Sequence, residues 1–229
     1  MNPFVNFRIC CSALYVPLSL ALFLILGQPE KIFSQWLWLG QNAANAGPSE
    51  SLRYLAVDTD PTGNVYSTGY YCSGSGIPYA KRGIAGNILY ENLFQPATNP
   101  VCLGYGYDIE VAGTQLVIAG TYDNKPLIAV FNPATGTHQT DWLFAGNGNV
   151  RGMDFRGGQY YVVGNYKNTL NLGNGFTLPG SANNGVFVAV FAAGSGNCIG
   201  ATRLSSSGNL YGYDIKSDPA GNLYITGTT

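Results

Sequence analysis

Asp108, Asp154 and Asp214 stand at one repeated position, third in Gly106-Tyr107-Asp108-Ile109, Gly152-Met153-Asp154-Phe155 and Gly212-Tyr213-Asp214-Ile215. Carboxylate oxygens gathered by repetition suit a hard cation or a polar ligand. The competing reading has each carboxylate accept backbone N–H groups where neighbouring repeats meet. That reading is favoured, because recurrence in every unit suits a structural task better than a single site. Ala56 holds the same position in an earlier repeat, which thins any ring of oxygens.

Other chemistry-bearing residues are weaker candidates. Asp58, Asp60 and Asn64 in D-T-D-P-T-G-N resemble the start of a calcium loop. The pattern breaks at Thr62, at the displaced glycine and at Gly69, which stands where a glutamate is required. A turn built on Asp60-Pro61 is the better account, and no metal site is expected. His138 is the single histidine and sits among polar turn residues, with no nucleophile placed beside it. Glu91 and Glu110 supply glycosidase-type carboxylates, but sequence does not pair them. Tyr70, Tyr71, Tyr79, Tyr90 and Tyr122 fall at or after strand ends, where an aromatic face can stack on a sugar or anchor a protein. Their alternative task is to fill space between repeats. Of these, Tyr70, Tyr71 and Tyr122, with the three aspartates, are the candidate ligand-binding set. No cofactor is expected.

The elements that must position these groups are β-hairpins. Residues 211–229 alternate as a half-buried strand, turn at Asp218-Pro219-Ala220-Gly221-Asn222, and resume as a β-branched and aromatic strand closing at Gly227. The same unit returns at 54–71, with its turn at Asp60 to Asn64 and its closing glycine at Gly69. It returns again at 105–122, closing at Gly120. A degraded copy at 150–166 closes at Gly164 and turns through Arg156-Gly157-Gly158-Gln159. Self-similarity on this scale signals a repeat architecture. Between hairpins lies an apolar strand ending in phenylalanine, a Pro/Gly/Ser turn and a further strand. Phe131 precedes Asp154 by the same interval as Phe191 precedes Asp214.

Each repeat therefore reads as four short antiparallel strands. The expected fold is all-β, a β-propeller of four-stranded blades present as an incomplete ring of about three and a half. Phe94, taken as the matching phenylalanine of the first repeat, lies much closer to Asp108, so the outer strand of that repeat is expected to be stunted or missing. Residues 35–41 (Q-W-L-W-L-G-Q) resemble 141–147 and read as an outer strand standing alone. The fourth repeat is expected to be partial, the chain reading as part of a longer protein.

The D-P-x-G-N-x-Y-x-x-G hairpins at 60–69 and 218–227, with the 169–191 connection, resemble the bacterial β-propeller repeat known as SBBP. The resemblance spans about residues 35–229. It implies a secreted or surface-exposed bacterial propeller.

At the amino end, residues 9–27 carry no charge, follow Arg8 and precede Glu30 and Lys31. Residues 1–34 read as a signal peptide cleaved near Gly27 or Ser34, or as a retained membrane anchor weakened by Ser12, Pro17 and Ser19. Either places the repeats, residues 35–229, outside the cytoplasm. Cys10 and Cys11 precede the apolar centre, which argues against a lipoprotein. Cys72 and Cys102 are a possible disulfide in that compartment, the alternative being free buried thiols, as for Cys198. With 10% charged residues and no basic run beyond Lys81-Arg82, nucleic acid is not an expected partner. The 31 glycines fit tight turns between short strands. The expected function is a binding or scaffold module for a carbohydrate or a cell-surface protein, contributing no chemistry of its own. The alternatives are a secreted hydrolase or lyase with carboxylates on one face, and a passive surface spacer.

Overall fold

A computed structural model of the chain describes residues 52–71, 76–96, 103–180, 183–204 and 206–229. The signal or anchor segment, the strand at 35–41 and Cys72 and Cys102 lie outside them. Among the described residues the chain is all-β and contains no helix.

The four expected hairpins are all present. They are β1 (Leu52–Thr59) with β2 (Val65–Tyr71), β5 (Gly104–Ala112) with β6 (Gln115–Tyr122), β9 (Ala145–Arg156) with β10 (Gln159–Gly173), and β14 (Tyr211–Ser217) with β15 (Leu223–Thr228). The second strand of three of them carries two more antiparallel strands. β3 (Ile77–Arg82) and β4 (Ile88–Phe94) complete the first unit, β7 (Lys125–Phe131) and β8 (His138–Leu143) the second, and β12 (Gly185–Ala192) and β13 (Cys198–Leu204) the third. A short extra strand, β11 (Phe176–Leu178), folds back on the long tail of β10.

The Asp-Pro-x-Gly-Asn turn is a closed local network. Asp60 Oδ1 accepts from the backbone N–H groups of Thr62 and Asn64, each at 3.0 Å, while Oδ2 accepts from the Asn64 amide at 2.7 Å and the Tyr66 hydroxyl at 3.0 Å. Asp218 makes the same set with Ala220, Asn222 and Tyr224. Gly63 and Gly221 take φ of 85° and 86°, the left-handed conformation that the turn imposes at its fourth residue. In the degraded third copy, Gly157 and Gly158 both take positive φ, giving the tight two-residue hairpin connection instead.

The closing glycines have a distinct cause. In every hairpin the first strand slips register opposite them, leaving Leu55, Tyr107, Arg151 and Tyr213 as the extra residue of a β-bulge. The bulge drives a backbone carbonyl against the partner strand. A Cβ on Gly69, Gly120, Gly164 or Gly227 would overlap the carbonyl oxygen of Arg53, Tyr105, Asn149 or Tyr211 respectively.

Units stack face to face in a propeller-like manner. Ile109, Leu116, Ile118, Leu127, Ala129 and Phe131 of the second unit meet Tyr66, Ile77, Tyr79 and Phe94 of the first. The opposite face of the second unit, with Val117, Ala119, Ile128 and Val130, meets Met153, Val162, Phe187, Ala189 and Phe191 of the third. β6 and β7 are covered on both faces, which is why they read as continuous apolar runs. Ile215 of the fourth hairpin packs on Val163, Val186 and Val188.

The first unit departs from the expectation that its outer strand is stunted. Ile88–Phe94 is itself the outer strand, and the third strand is Ile77–Arg82. Arg82 pairs with Val65 at the register where Phe131 pairs with Leu116 and Phe191 with Tyr160. Lys81 and Arg82 disguise this strand in the sequence, yet both are buried. Lys81 donates to the Pro133 carbonyl at 3.0 Å and lies 4.9 Å from the Tyr66 ring centre, so its charge is solvated by protein groups.

Candidate functional site: carboxylates between units and an aromatic ladder

The three aspartates lie on first strands but do not share one register position, contrary to their spacing in the sequence: Asp108 and Asp214 pair one residue before the closing glycine, with Ala119 and Thr226, whereas Asp154 pairs with Tyr161, three before it, and Gly152 holds the equivalent place. Asp108 and Asp154 reach across to the first strand of the next hairpin. Asp108 Oδ2 accepts the Met153 N–H at 2.8 Å, and its Oδ1 accepts the N–H of Ile109 at 2.9 Å. Asp154 Oδ2 accepts the Ser217 N–H at 2.9 Å and also the Ser217 hydroxyl. Asp214 Oδ1 accepts the N–H of Ile215. Two carboxylates elsewhere on the first strands do the same work: Asp58 accepts from Val111 at 2.7 Å and Glu110 from Phe155 at 3.0 Å. Four carboxylates thus tie successive first strands together.

Lys216 completes this seam. Its ammonium lies 3.4 Å from Asp154 and 3.8 Å from Glu110, and it donates to the Met153 carbonyl. Burial pushes Asp108 up to about 7, offset in part by Lys216 and by the Met153 N–H. Burial does the same for Glu110, also to about 7, against Lys216 and the Phe155 N–H. Burial would lower Lys216, but the surrounding carboxylates outweigh it and raise its pKa. The oxygens face backbone donors and one cation, and no group of three or more His, Cys, Asp or Glu among the described residues is arranged to hold a metal.

The remaining catalytic candidates do not converge. Glu91 is on an outer strand, accepting the Tyr54 hydroxyl at 3.0 Å, while Glu110 is on the first strand of the next unit. His138 pairs with Asp141 at 3.0 Å and packs on Phe94 and Phe131. Asp60 is saturated by its turn. Burial raises its pKa, but hydrogen bonds from Thr62, Asn64 and Tyr66 outweigh that and hold it far below the usual carboxylate range.

The tyrosines divide into two groups. Tyr79 and Tyr90 fill the gap between the first two units, donating to the Gly136 carbonyl at 2.6 Å and the Pro133 carbonyl at 3.3 Å. Tyr66 and Lys81 donate to the same Pro133 oxygen, so the Asn132–Gly136 turn is gripped by four side chains of the first unit. Tyr122, expected near a loop surface, is fully buried in the core between those units and has no face to offer a ligand. Its place on β6, sandwiched between two units, is the reason.

Tyr70 instead belongs to a half-exposed ladder. Arg53 lies over its ring at 6.0 Å, and Tyr70 packs on Tyr105 at 5.1 Å between centroids. Tyr105 stacks nearly parallel on Tyr107, 8° between planes at 5.8 Å, and Arg151 covers Tyr107 at 3.9 Å. Five side chains from three units form one continuous run of rings capped by guanidinium groups. The single pairing of Tyr70 with Tyr105 joins β2 to β5 and fixes its middle. Tyr107 and Arg151 are bulge residues, turned out of the sheet by the slip opposite Gly120 and Gly164. Asn149 accepts from Arg151 Nε at 3.1 Å and holds its cap. Tyr71, beside Tyr70 at the strand end, is half-buried. Tyr105, Tyr107, Arg53 and Arg151 were not among the sequence candidates. Tyr107, Arg151 and Tyr213 share the bulge position opposite the closing glycine, and that glycine was the signal available in the sequence.

No family model matches the chain, and no curated protein matches it. Among solved structures it is similar to Kluyveromyces lactis Hsv2, at 10% identity over 77% of this chain and 72% of that one, with a TM-score of 0.34. A second Hsv2 structure, with a complete loop 6CD, is similar at 10% identity over 77% and 71%, with a TM-score of 0.33. Likeness at that level is compatible with many functions, and what the chain does rests on its own residues.

Proposed function

We propose that this chain is an extracytoplasmic binding module on a β-propeller scaffold, of the kind its D-P-x-G-N hairpins resemble, and that it binds carbohydrate on the Arg53–Tyr70–Tyr105–Tyr107–Arg151 ladder. One observation carries the reading: the rings of the ladder, whose faces cover one another, and its two capping guanidinium groups are partly open to solvent at their edges, on rigid strands rather than loops. Sugar C–H groups pack along such an aromatic ridge, and the flanking guanidinium groups donate to hydroxyl or carboxylate oxygens. The scaffold requires no new ordering on binding, which lowers its entropic cost. Export rests on the uncharged residues 9–27. An incomplete ring of three and a half blades remains the architectural reading, supported by three four-stranded units and a fourth hairpin.

The hydrolase alternative has less support, because the carboxylates with raised pKa are engaged by backbone N–H groups between units. The test is calorimetric titration with neutral and uronic-acid oligosaccharides. Binding of at least one class, weakened about tenfold or more by Tyr105→Ala or Tyr107→Ala, is expected, from the usual loss on truncating a stacked aromatic. No binding across the panel, or binding indifferent to both substitutions, overturns the assignment.

A further inference from the structure

The two ends of the aromatic ladder carry guanidinium groups that no carboxylate among the described residues answers. Lys81, Lys125 and Lys216 each lie beside an acid: Asp60, Asp123, and Glu110 with Asp154. Arg53 and Arg151 meet aromatic faces instead, those of Tyr70 and Tyr107. The carboxylates of the same first strands are already engaged. Asp108 accepts from Ile109 and Met153, Asp58 from Val111, Glu110 from Phe155 and Asp154 from Ser217.

A guanidinium lying on a ring keeps its N–H groups in its own plane, free to donate past the ring edge. Arg151 uses its Nε on Asn149 and keeps both terminal nitrogens, and Arg53 is exposed. The acceptor that matches such a fork is a carboxylate, which takes two parallel N–H bonds from it. Between the two forks lie three rings, those of Tyr70, Tyr105 and Tyr107. One sugar residue therefore reaches one fork, and a chain of them is needed to reach both.

From the two unanswered forks and the rings between them we infer that the ligand of this site is an acidic oligosaccharide, with one uronate carboxylate received by Arg53 and another by Arg151. The inference rests on the carbohydrate reading of the ladder and narrows it to one charge class. Both guanidinium groups are seated on their rings before the ligand arrives, so little side-chain freedom is lost on binding. The second contact is made within a complex already formed by the first, so an oligomer outbinds its own monomer.

The test is calorimetric titration of the full chain with galacturonate, glucuronate and mannuronate oligomers long enough to cover the three rings. Each is compared with its monomer and with the same oligomer after its carboxyl groups are reduced to neutral alcohols. At least one acidic oligomer is expected to bind about tenfold or more tighter than its reduced form, the usual scale for charge-assisted hydrogen bonds, and to weaken as salt is added. In the Arg53→Gln, Arg151→Gln double variant that preference should shrink to about threefold or less, an amide lacking the charge and the fork. Reduced oligomers binding as tightly as acidic ones, or a preference unchanged in the double variant, overturns the charge assignment and leaves the carbohydrate reading standing. No binding by either form of any oligomer overturns the inference together with the reading beneath it.

Discussion

The first and fourth hairpins carry the same turn and differ in what lies on top of it. Around Asp60 and around Asp218 the backbone, asparagine and tyrosine hydrogen bonds correspond, down to the tyrosine six residues later, and the Thr62 hydroxyl bond to Asp60 has no counterpart, Ala220 standing in its place. Tyr66 is nonetheless 1% accessible and Tyr224 61%. The turn is thus a product of local sequence, whereas burial is conferred by the next unit, whose Asn132–Gly136 turn closes over Tyr66. Hairpin formation and hairpin stabilisation are separate links, and the two copies allow them to be separated experimentally.

The strongest way to break the comparison is at the bulge. Gly69→Ala forces a Cβ into the Arg53 carbonyl beneath a packed unit and is expected to cost more than about 4 kcal/mol, in the range of severe backbone clashes. Urea denaturation followed by circular dichroism should then find no cooperative transition. Gly227→Ala makes the equivalent clash in an uncovered hairpin, and should leave the main transition in place while exchange over 211–228 accelerates.

A second distinction is electrostatic. Asp108 and Glu110 have folded pKa values above their ordinary ones, so they bind protons more readily in the folded chain. Their contribution is full below about pH 4 and is lost as pH rises through 7, a loss on the order of 2 kcal/mol for each group between pH 5 and 8. Asp60 is shifted the other way. Its contribution is present above its ordinary pKa near 4 and disappears only in stronger acid, so it adds no slope between pH 5 and 8. Urea midpoints should fall across that window, and Asp108→Asn should flatten the fall.

The smallest effect concerns the tyrosines themselves. Tyr66→Phe removes hydroxyl bonds to Asp60 and Pro133 at a buried site and should cost about 1 kcal/mol. Tyr224→Phe removes the matching bond to Asp218 in solvent, and the melting temperature should not move. An equal shift for the two would show that the covering unit contributes nothing to the turn.

Much of this molecule was legible in its sequence because its turns are local chemistry. Asp-Pro-x-Gly-Asn and the closing glycines mark the hairpins, and Phe131 and Phe191, each paired four residues before a closing glycine, mark the third strands; the equal intervals to the next aspartate are coincidental, since Asp154 and Asp214 stand two register positions apart. The third strand of the first unit was hidden because Lys81 and Arg82 interrupt its apolar run, and the Pro133 carbonyl, the Asp60 carboxylate and the Tyr66 ring explain why a lysine is buried there. Asp108 and Asp154 accept backbone N–H groups of the next hairpin, but from different register positions, because the G-M-D-F match in the sequence is displaced by two residues from the G-Y-D-I positions in the sheet. The ladder could not be read in advance. Its members come from three units, and two of them face outward only because a bulge turns them.

The most direct test sets the ladder against the seam in one titration series. Using whichever oligosaccharide class binds the wild-type chain, Tyr107→Ala and Asp108→Asn are compared for affinity and for melting temperature. The account predicts that Tyr107→Ala loses affinity about tenfold or more with the fold intact, while Asp108→Asn shifts stability and its pH slope and leaves affinity unchanged. Abolished binding in Asp108→Asn with an unchanged melting temperature, alongside unimpaired binding in Tyr107→Ala, would contradict it and place the ligand on the carboxylates.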